Sequence, residues 1–391
     1  MFRTNPTLRC IAVLIALLAT CLLGAAILRA NLSRPVITGG RMPTVGIEWS
    51  IPAAGLRSVR FSSLGNYLCT VSKDGEVACY GPSGNKCFTT RVAGATDAVV
   101  APDGSFTLVY AKRDRANTEI VFLDSAGSVE WRMDVGASVW SADAGCCDTG
   151  ACFAVGTGDR RIYLVTIGDS TRRYRRFRTP GVVTSVALAP SGEDVFCGTW
   201  QDSAVRRYSL TGRERASMNA DSSNLQYVRS LADSDRILVI SSANRSGGDG
   251  VAVLMESDGY ELSRYPLDAS QSMRAIASPD GLFVCIGCNR AILHNGKSVP
   301  ERHAILYGCN GRKLWDKGSM LLQMTPVLVA QSGFVVAGDS KNTLYVVNPA
   351  GQIKKACKLP APMLGSVASD SGSRALVRCA DDKFYCIAVE R

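Results

Sequence analysis

The chain has 391 residues and a formal charge of +10, with 46% hydrophobic residues, 20% charged residues and 37 glycines. That composition excludes a disordered chain and suits a large core crossed by many tight turns. The whole sequence holds only two histidines, His294 and His303, which excludes polyhistidine metal sites and removes the usual base from most hydrolytic schemes.

Residues 1–9 read as a short tail. From Cys10 to Leu28 nineteen residues carry no charge, between Arg3 and Arg9 on one side and Arg29 and Arg34 on the other. At about 1.5 Å per residue this run is long enough to cross a bilayer, so 10–28 is expected to be a transmembrane helix or signal anchor. A cleaved signal peptide is the alternative, with Ile11 to Leu23 as its apolar region and Gly24-Ala25-Ala26 as small residues for a peptidase. A lipid anchor at Cys21 fits less well. Arginines on both flanks leave orientation open under the positive-inside rule. The default reading is a single-pass membrane protein with its folded part extracytoplasmic. Residues 29–45, with Pro35, Gly39, Gly40 and Pro43, read as a linker to a domain over 46–391.

Within that domain a small polar turn before an apolar run recurs eight times. The turns are Ser63-Leu64-Gly65-Asn66, Pro102-Asp103-Gly104-Ser105, Asp148-Thr149-Gly150-Ala151, Pro190-Ser191-Gly192-Glu193, Asp233-Ser234-Asp235-Arg236, Pro279-Asp280-Gly281-Leu282, Gln331-Ser332-Gly333-Phe334 and Asp370-Ser371-Gly372-Ser373. Gly65 and Gly372 lie 307 residues and seven intervals apart, about 44 residues each, the length of a four-stranded propeller blade. The runs after the turns, such as Phe334-Val335-Val336-Ala337 and Thr343-Leu344-Tyr345-Val346-Val347, are short, β-branched and bounded by turn residues, so they predict strands. A further turn opens a fourth strand, as in Gly127 to Trp131 and Gly311 to Trp315, and more weakly Gly84 to Phe88. Residues 374–390 supply second and third strands without a fourth, whereas Gly46 to Pro52 looks like a fourth strand carrying Trp49. Pairing the two completes a blade and covers two open edges. The prediction is an all-β, eight-bladed β-propeller closed by an N-terminal outer strand, with a seven-bladed ring as the alternative.

At Gly127 to Trp131, Gly311 to Trp315, Trp49 and the eight turns, the chain resembles the quinoprotein-like propellers with PQQ-like repeats. The Ser278-Pro279-Asp280-Gly281 turn is also similar to those of WD-repeat-like propellers. The resemblance covers nearly all of 46–391 and implies a fold rather than an activity. It departs from the PQQ pattern where Ala216, Ser263 and Lys355 stand four residues after their glycines in place of Trp. No residue set resembles a quinone and calcium site, so no cofactor is implied.

Among candidate sites, Arg172, Arg173, Arg175, Arg176 and Arg178, interleaved with Tyr174 and Phe177, could bind anions of lipid or polymer. A solvated outermost strand explains the same residues. Long second-to-third strand connections are expected at 113–118, 241–250 and 289–303. They place Arg113, Arg115, Asn244, Arg245, Asn289, Arg290, His294 and His303 on one face as candidate partner-binding loops. Cys69, Cys197, Cys285 and Cys379 recur on second strands and read as buried apolar residues. Cys146, Cys147 and Cys152 flank one turn, where a hairpin-spanning disulfide is the alternative to free thiols. Cys285, Cys288, His294 and His303 have the wrong spacing for a zinc finger.

The functional expectation is a membrane-tethered, non-catalytic scaffold for protein partners or a ligand. Nucleic acid is not an expected partner, and the small-molecule ligand is undetermined. The alternatives are a quinoprotein-like enzyme using the central channel and a sensor of anionic lipid or polymer.

Overall fold

The computed structural model describes residues 42–390 apart from 115–116, 169–170, 201–203, 220–224, 242–249, 268–273, 295–296 and 320–322. The predicted membrane segment (10–28) and all but the end of the linker lie outside the described residues. Among the described residues no helix is long and apolar enough to cross a membrane.

Thirty-two strands form eight separate four-stranded antiparallel sheets, which settles the blade number in favour of eight. We letter the strands of each blade a to d from the channel outward. The innermost strands of blades 1 to 8 are Leu56–Phe61, Ala95–Val100, Val139–Cys147, Val182–Leu188, Leu225–Ser230, Arg274–Ala277, Thr325–Val329 and Met363–Ala368. In blade 8, strand d is Thr44–Pro52, paired along its length with Lys383–Glu390 and bulged between Ile47 and Trp49. The closing strand expected from Gly46 is therefore present and begins two residues earlier.

No blade has a core of its own. The buried apolar residues fall into eight clusters, and each cluster straddles two neighbouring blades. The cluster holding Leu108, Ile120 and Phe122 of blade 2, for example, also holds Phe153, Val155 and Val165 of blade 3. A radial sheet is apolar on both faces, so a lone blade would leave both exposed to water.

Among the described residues a glycine of the c-to-d turn packs on the preceding blade at six of the interfaces. Gly84 and Gly127 both have positive φ, 76° and 82°, where a side chain is strained. A Cβ on Gly84 would lie 2.4 Å from the Trp49 ring, and one on Gly127 2.6 Å from the Phe88 ring. Each glycine thus seats the strand-d side chain of the preceding blade. Trp315 does the same beneath Gly351, and its indole Nε1 donates to the Asn348 carbonyl at 2.9 Å.

Where neither Trp nor Phe stands there, the contact with the next turn is made in other ways. Gly259 closes over Met218 rather than Ala216. In blade 5, Ser263 donates to the Cys309 carbonyl at 2.7 Å and the fully buried Tyr265 donates to Gly308 at 3.0 Å. Lys355, at the matching place in blade 7, is exposed and faces no such turn, because blade 8 draws its fourth strand from the other end of the fold. Asp235, the one non-glycine among the eight turn positions, does not adopt positive φ.

Trp315→Ala should therefore cost about 3–5 kcal/mol, as truncations of buried aromatic residues do. Lys355→Ala should stay within about 0.5 kcal/mol. Denaturant unfolding of the two variants side by side checks this, and equal effects would contradict an interface role for the fourth-strand position.

Candidate functional site

The eight a strands surround the axis, and five of their charged side chains, or those of the adjoining turns, gather in the channel. Arg60 of blade 1 bonds Asp97 of blade 2 at 2.5 Å. The Tyr110 hydroxyl and Ser58 Oγ also donate to Asp97. Arg229 of blade 5 pairs with Asp370 from the a-to-b turn of blade 8. Among the described residues Asp143 of blade 3 has no cationic partner in salt-bridge range, and it accepts from the backbone amides of Leu188 (2.7 Å) and Ala144 (2.9 Å).

Arg60, Asp143, Arg229 and Asp370, though not Asp97, line a cavity of about 260 Å³ toward the a-to-b turns. Leu64, Pro102, Val186, Ala187 and Pro190 give it apolar walls, and Tyr227 stands 43% exposed along it. Two donors at the same wall, Arg229 Nε and Ser230 Oγ, are buried without a hydrogen-bond partner. Burial and the like charge of Asp370 push the Asp143 carboxyl up from 3.8 to about 6, against its two amide bonds and Arg60.

The arginine run forms strand d of blade 3, Thr171–Arg178, the outermost strand of its sheet. Arg172, Arg173, Arg175, Arg176 and Arg178 are all exposed. They do not form one patch. Tyr174 packs on Trp131 of blade 2, with ring centroids 6.0 Å apart, and Arg172 pairs with Glu130 of the same blade. Phe177 lies on Tyr208 of blade 4 at 4.8 Å. Strand alternation therefore turns Arg172, Arg176 and Arg178 to one side and Arg173 and Arg175 to the other.

The expected loop over 289–303 is not a loop. Phe283–His294 and Lys297–Gly308 are one long hairpin, paired without interruption from Phe283 with Gly308 to His294 with Lys297. Among the described residues the neighbouring strands pair with the hairpin as far as Gly287 and His303, and 288–294 with 297–302 continue it as a two-stranded arm. Asn289, Arg290 and His294 pair in register with Arg302, Glu301 and Lys297. The missed signal is Asn295-Gly296, a dipeptide that favours two-residue hairpins.

His303 is correspondingly no loop residue. It is 8% exposed at the base of the arm, with Nδ1 2.7 Å from Asp316 and Nε2 2.9 Å from Glu301. It ties the arm to strand d of its blade. Among the described residues no group of His, Cys, Asp and Glu could hold a metal ion.

Arg113 pairs with the buried Glu119 at 2.6 Å, a carboxylate that Arg132 also reaches. Arg115, Asn244 and Arg245 lie outside the described residues. Cys146, Cys147 and Cys152 are free thiols, and the ladder sets Cys146 opposite Ala151 and Cys152 opposite Gly145. Burial pushes the Cys152 thiol up to about 12, which makes it a poor nucleophile. Cys69, Cys197, Cys285 and Cys379 are buried, as expected for apolar strand positions.

No known protein family matches the sequence, and no curated protein is similar to it. Solved structures are similar in fold. BamB from Moraxella catarrhalis superposes with a TM-score of 0.57 at 14% identity, over 88% of this chain and 99% of that one. The Dos1 propeller superposes with a TM-score of 0.62 at 10% identity, over 88% and 95%. At these identities the likeness concerns the propeller fold.

Two outcomes follow. A carboxyl whose folded pKa exceeds its unfolded one binds its extra proton in the native state, so its contribution to stability falls as pH rises through about 6. Asp143→Asn should gain on the parent chain between pH 5 and pH 8 by about 1.4 kcal/mol, because about one unit of the shift, at 1.36 kcal/mol per unit, falls in that window. Parallel unfolding curves at both pH values would exclude a buried charge at 143. Separately, maleimide labelling of the native chain, read by mass spectrometry, should modify the exposed Cys87 and Cys146 before Cys152, Cys197 and Cys285.

Proposed function

We propose that the protein is a membrane-tethered, non-catalytic scaffold that docks a protein partner on the face formed by its b-to-c and d-to-a connections. The observation that carries this reading is a collection of exposed apolar side chains on the face from which the 288–302 arm projects. Trp140, near the start of strand a in blade 3, is 49% exposed. Trp200, at the end of strand b in blade 4, is 43% exposed, and Leu364, near the start of strand a in blade 8, is 62% exposed. Chain direction brings all three to that same end of the ring. Exposed Trp is the commonest anchor of protein interfaces, and a two-stranded arm beyond its sheet is marginal unless something packs on it.

The ring supports the mechanism. Eight mutually buried sheets hold these groups in fixed positions, so little ordering entropy is lost on this side when a partner binds. The fold likeness to BamB and the Dos1 propeller agrees with a scaffold. The tether is the uncharged run Cys10 to Leu28, whose length matches a bilayer. Non-catalytic action is supported by the channel's chemistry: Arg60 and Arg229 are engaged with carboxylates, and Asp143 is held by backbone amides.

The test is capture of crosslinked partners from native membranes with the full-length chain. Trp140→Ala with Trp200→Ala, or replacement of 289–302 by a two-residue turn, should reduce the captured partner at least tenfold while the unfolding midpoint holds. Undiminished capture by both variants would refute the docking face. Extraction of the chain by alkaline carbonate would refute the tether.

A further inference from the structure

We propose that the channel cavity at the a-to-b end is a binding site for a small zwitterion of the α-amino acid class, its ammonium on Asp143 and its carboxylate on Arg229 Nε and Ser230 Oγ. This site lies at the opposite end of the ring from the docking face and does not depend on it.

The inference starts from what the cavity leaves unmatched. Asp97 and Asp370 each have an arginine, whereas Asp143 has only backbone amides. Of the ionisable groups that line the cavity, two arginines, Arg60 and Arg229, face two aspartates, Asp143 and Asp370, a balance of zero that a guest without net charge preserves. At the same wall Arg229 Nε and Ser230 Oγ are donors without an acceptor. A buried donor left unpaired costs about 1–3 kcal/mol, so both favour a guest that accepts.

A purely cationic guest would neutralise Asp143 and leave both donors unmet. A purely anionic guest would meet the donors but leave Asp143 without a cation and bring a net negative charge beside two carboxylates. A zwitterion satisfies both sets at once and brings no net charge into a partly buried space. The remaining wall, with Leu64, Pro102, Val186 and Pro190, is apolar and suits an aliphatic side chain.

The groups facing Asp143 set the pH behaviour. Arg60 comes from blade 1, Tyr227 and Arg229 from blade 5, and Asp370 from blade 8. The ammonium requires an ionised Asp143, so affinity should fall as pH drops through about 6.

The experiment is calorimetric titration of the full-length chain with L-leucine, isoamylamine and 4-methylpentanoate, which share a branched alkyl body and differ in charge. L-leucine should bind at least tenfold more tightly than either analogue at pH 7.5. Asp143→Asn should weaken leucine about tenfold and flatten its pH dependence. Ser230→Ala, the smaller change, should weaken leucine severalfold and narrow its advantage over isoamylamine. If the amine or the acid matches leucine, or none of the three binds the parent chain, the proposal is overturned.

Discussion

A blade of this ring is a sheet with two apolar faces and no interior. Its stability therefore depends on the contact it makes with the next blade, and that contact is set by glycine. The c-to-d turn must come so close to the preceding blade's fourth strand that a single carbon at Gly84 would overlap the Trp49 ring. Since the eight apolar clusters each belong to two blades, none can be lost without opening its neighbours. The pairing of Thr44–Pro52 with Lys383–Glu390 makes the chain of contacts a circle. Without it, the edge of Lys383–Glu390 would be unpaired and Gly84 would have nothing to close on.

Circular closure also explains the channel. Eight a strands turned toward one axis bring together side chains from distant parts of the sequence, Arg60 with Asp97 and Arg229 with Asp370. Their pairing is required by confinement, because a lone charge there would face low-dielectric walls. Asp143 is the member that confinement leaves without an opposite charge. Its carboxyl is held above the usual range by burial first and by the like charge of Asp370 second.

Most of the architecture could be read from the sequence because it rests on local signals. A turn with glycine at a fixed place recurs every 44 residues or so, and strands of period two follow it. Trp49 ahead of the first repeat announced the closing strand. What could not be read rests on pairing across blades. Ala216 and Ser263 seemed to break the fourth-strand pattern, yet Met218 meets the next turn in place of Ala216, and Ser263 meets it directly with Tyr265 bonding beside it. Only the position of the neighbouring turn reveals the substitution. The arm was legible in Asn295-Gly296 and was obscured by the polar Lys297-Ser298 and the Pro300 that follow it. The channel cluster was not legible at all, since Arg60 and Asp370 stand 310 positions apart and no local period connects them.

The two faces of the ring are unequal for the same physical reason. Turns between a and b and between c and d are interface parts. A Cβ on Gly104 would strike Tyr67, one on Gly281 would approach Leu231 and Arg236, and one on Gly333 would strike Phe283, each in the blade before. An insertion there would separate two blades and expose a shared cluster. Among the described residues the b-to-c glycines Gly75 and Gly158 approach Val92 and Trp140 and not the blade before, and the hairpin extended by six pairs beyond Cys288 and His303 leaves its blade intact. Length can accumulate on that face alone, and with it the arm and the neighbouring exposed tryptophans. The opposite face is held to tight turns, and what it can offer a ligand is the chemistry of the channel mouth they surround.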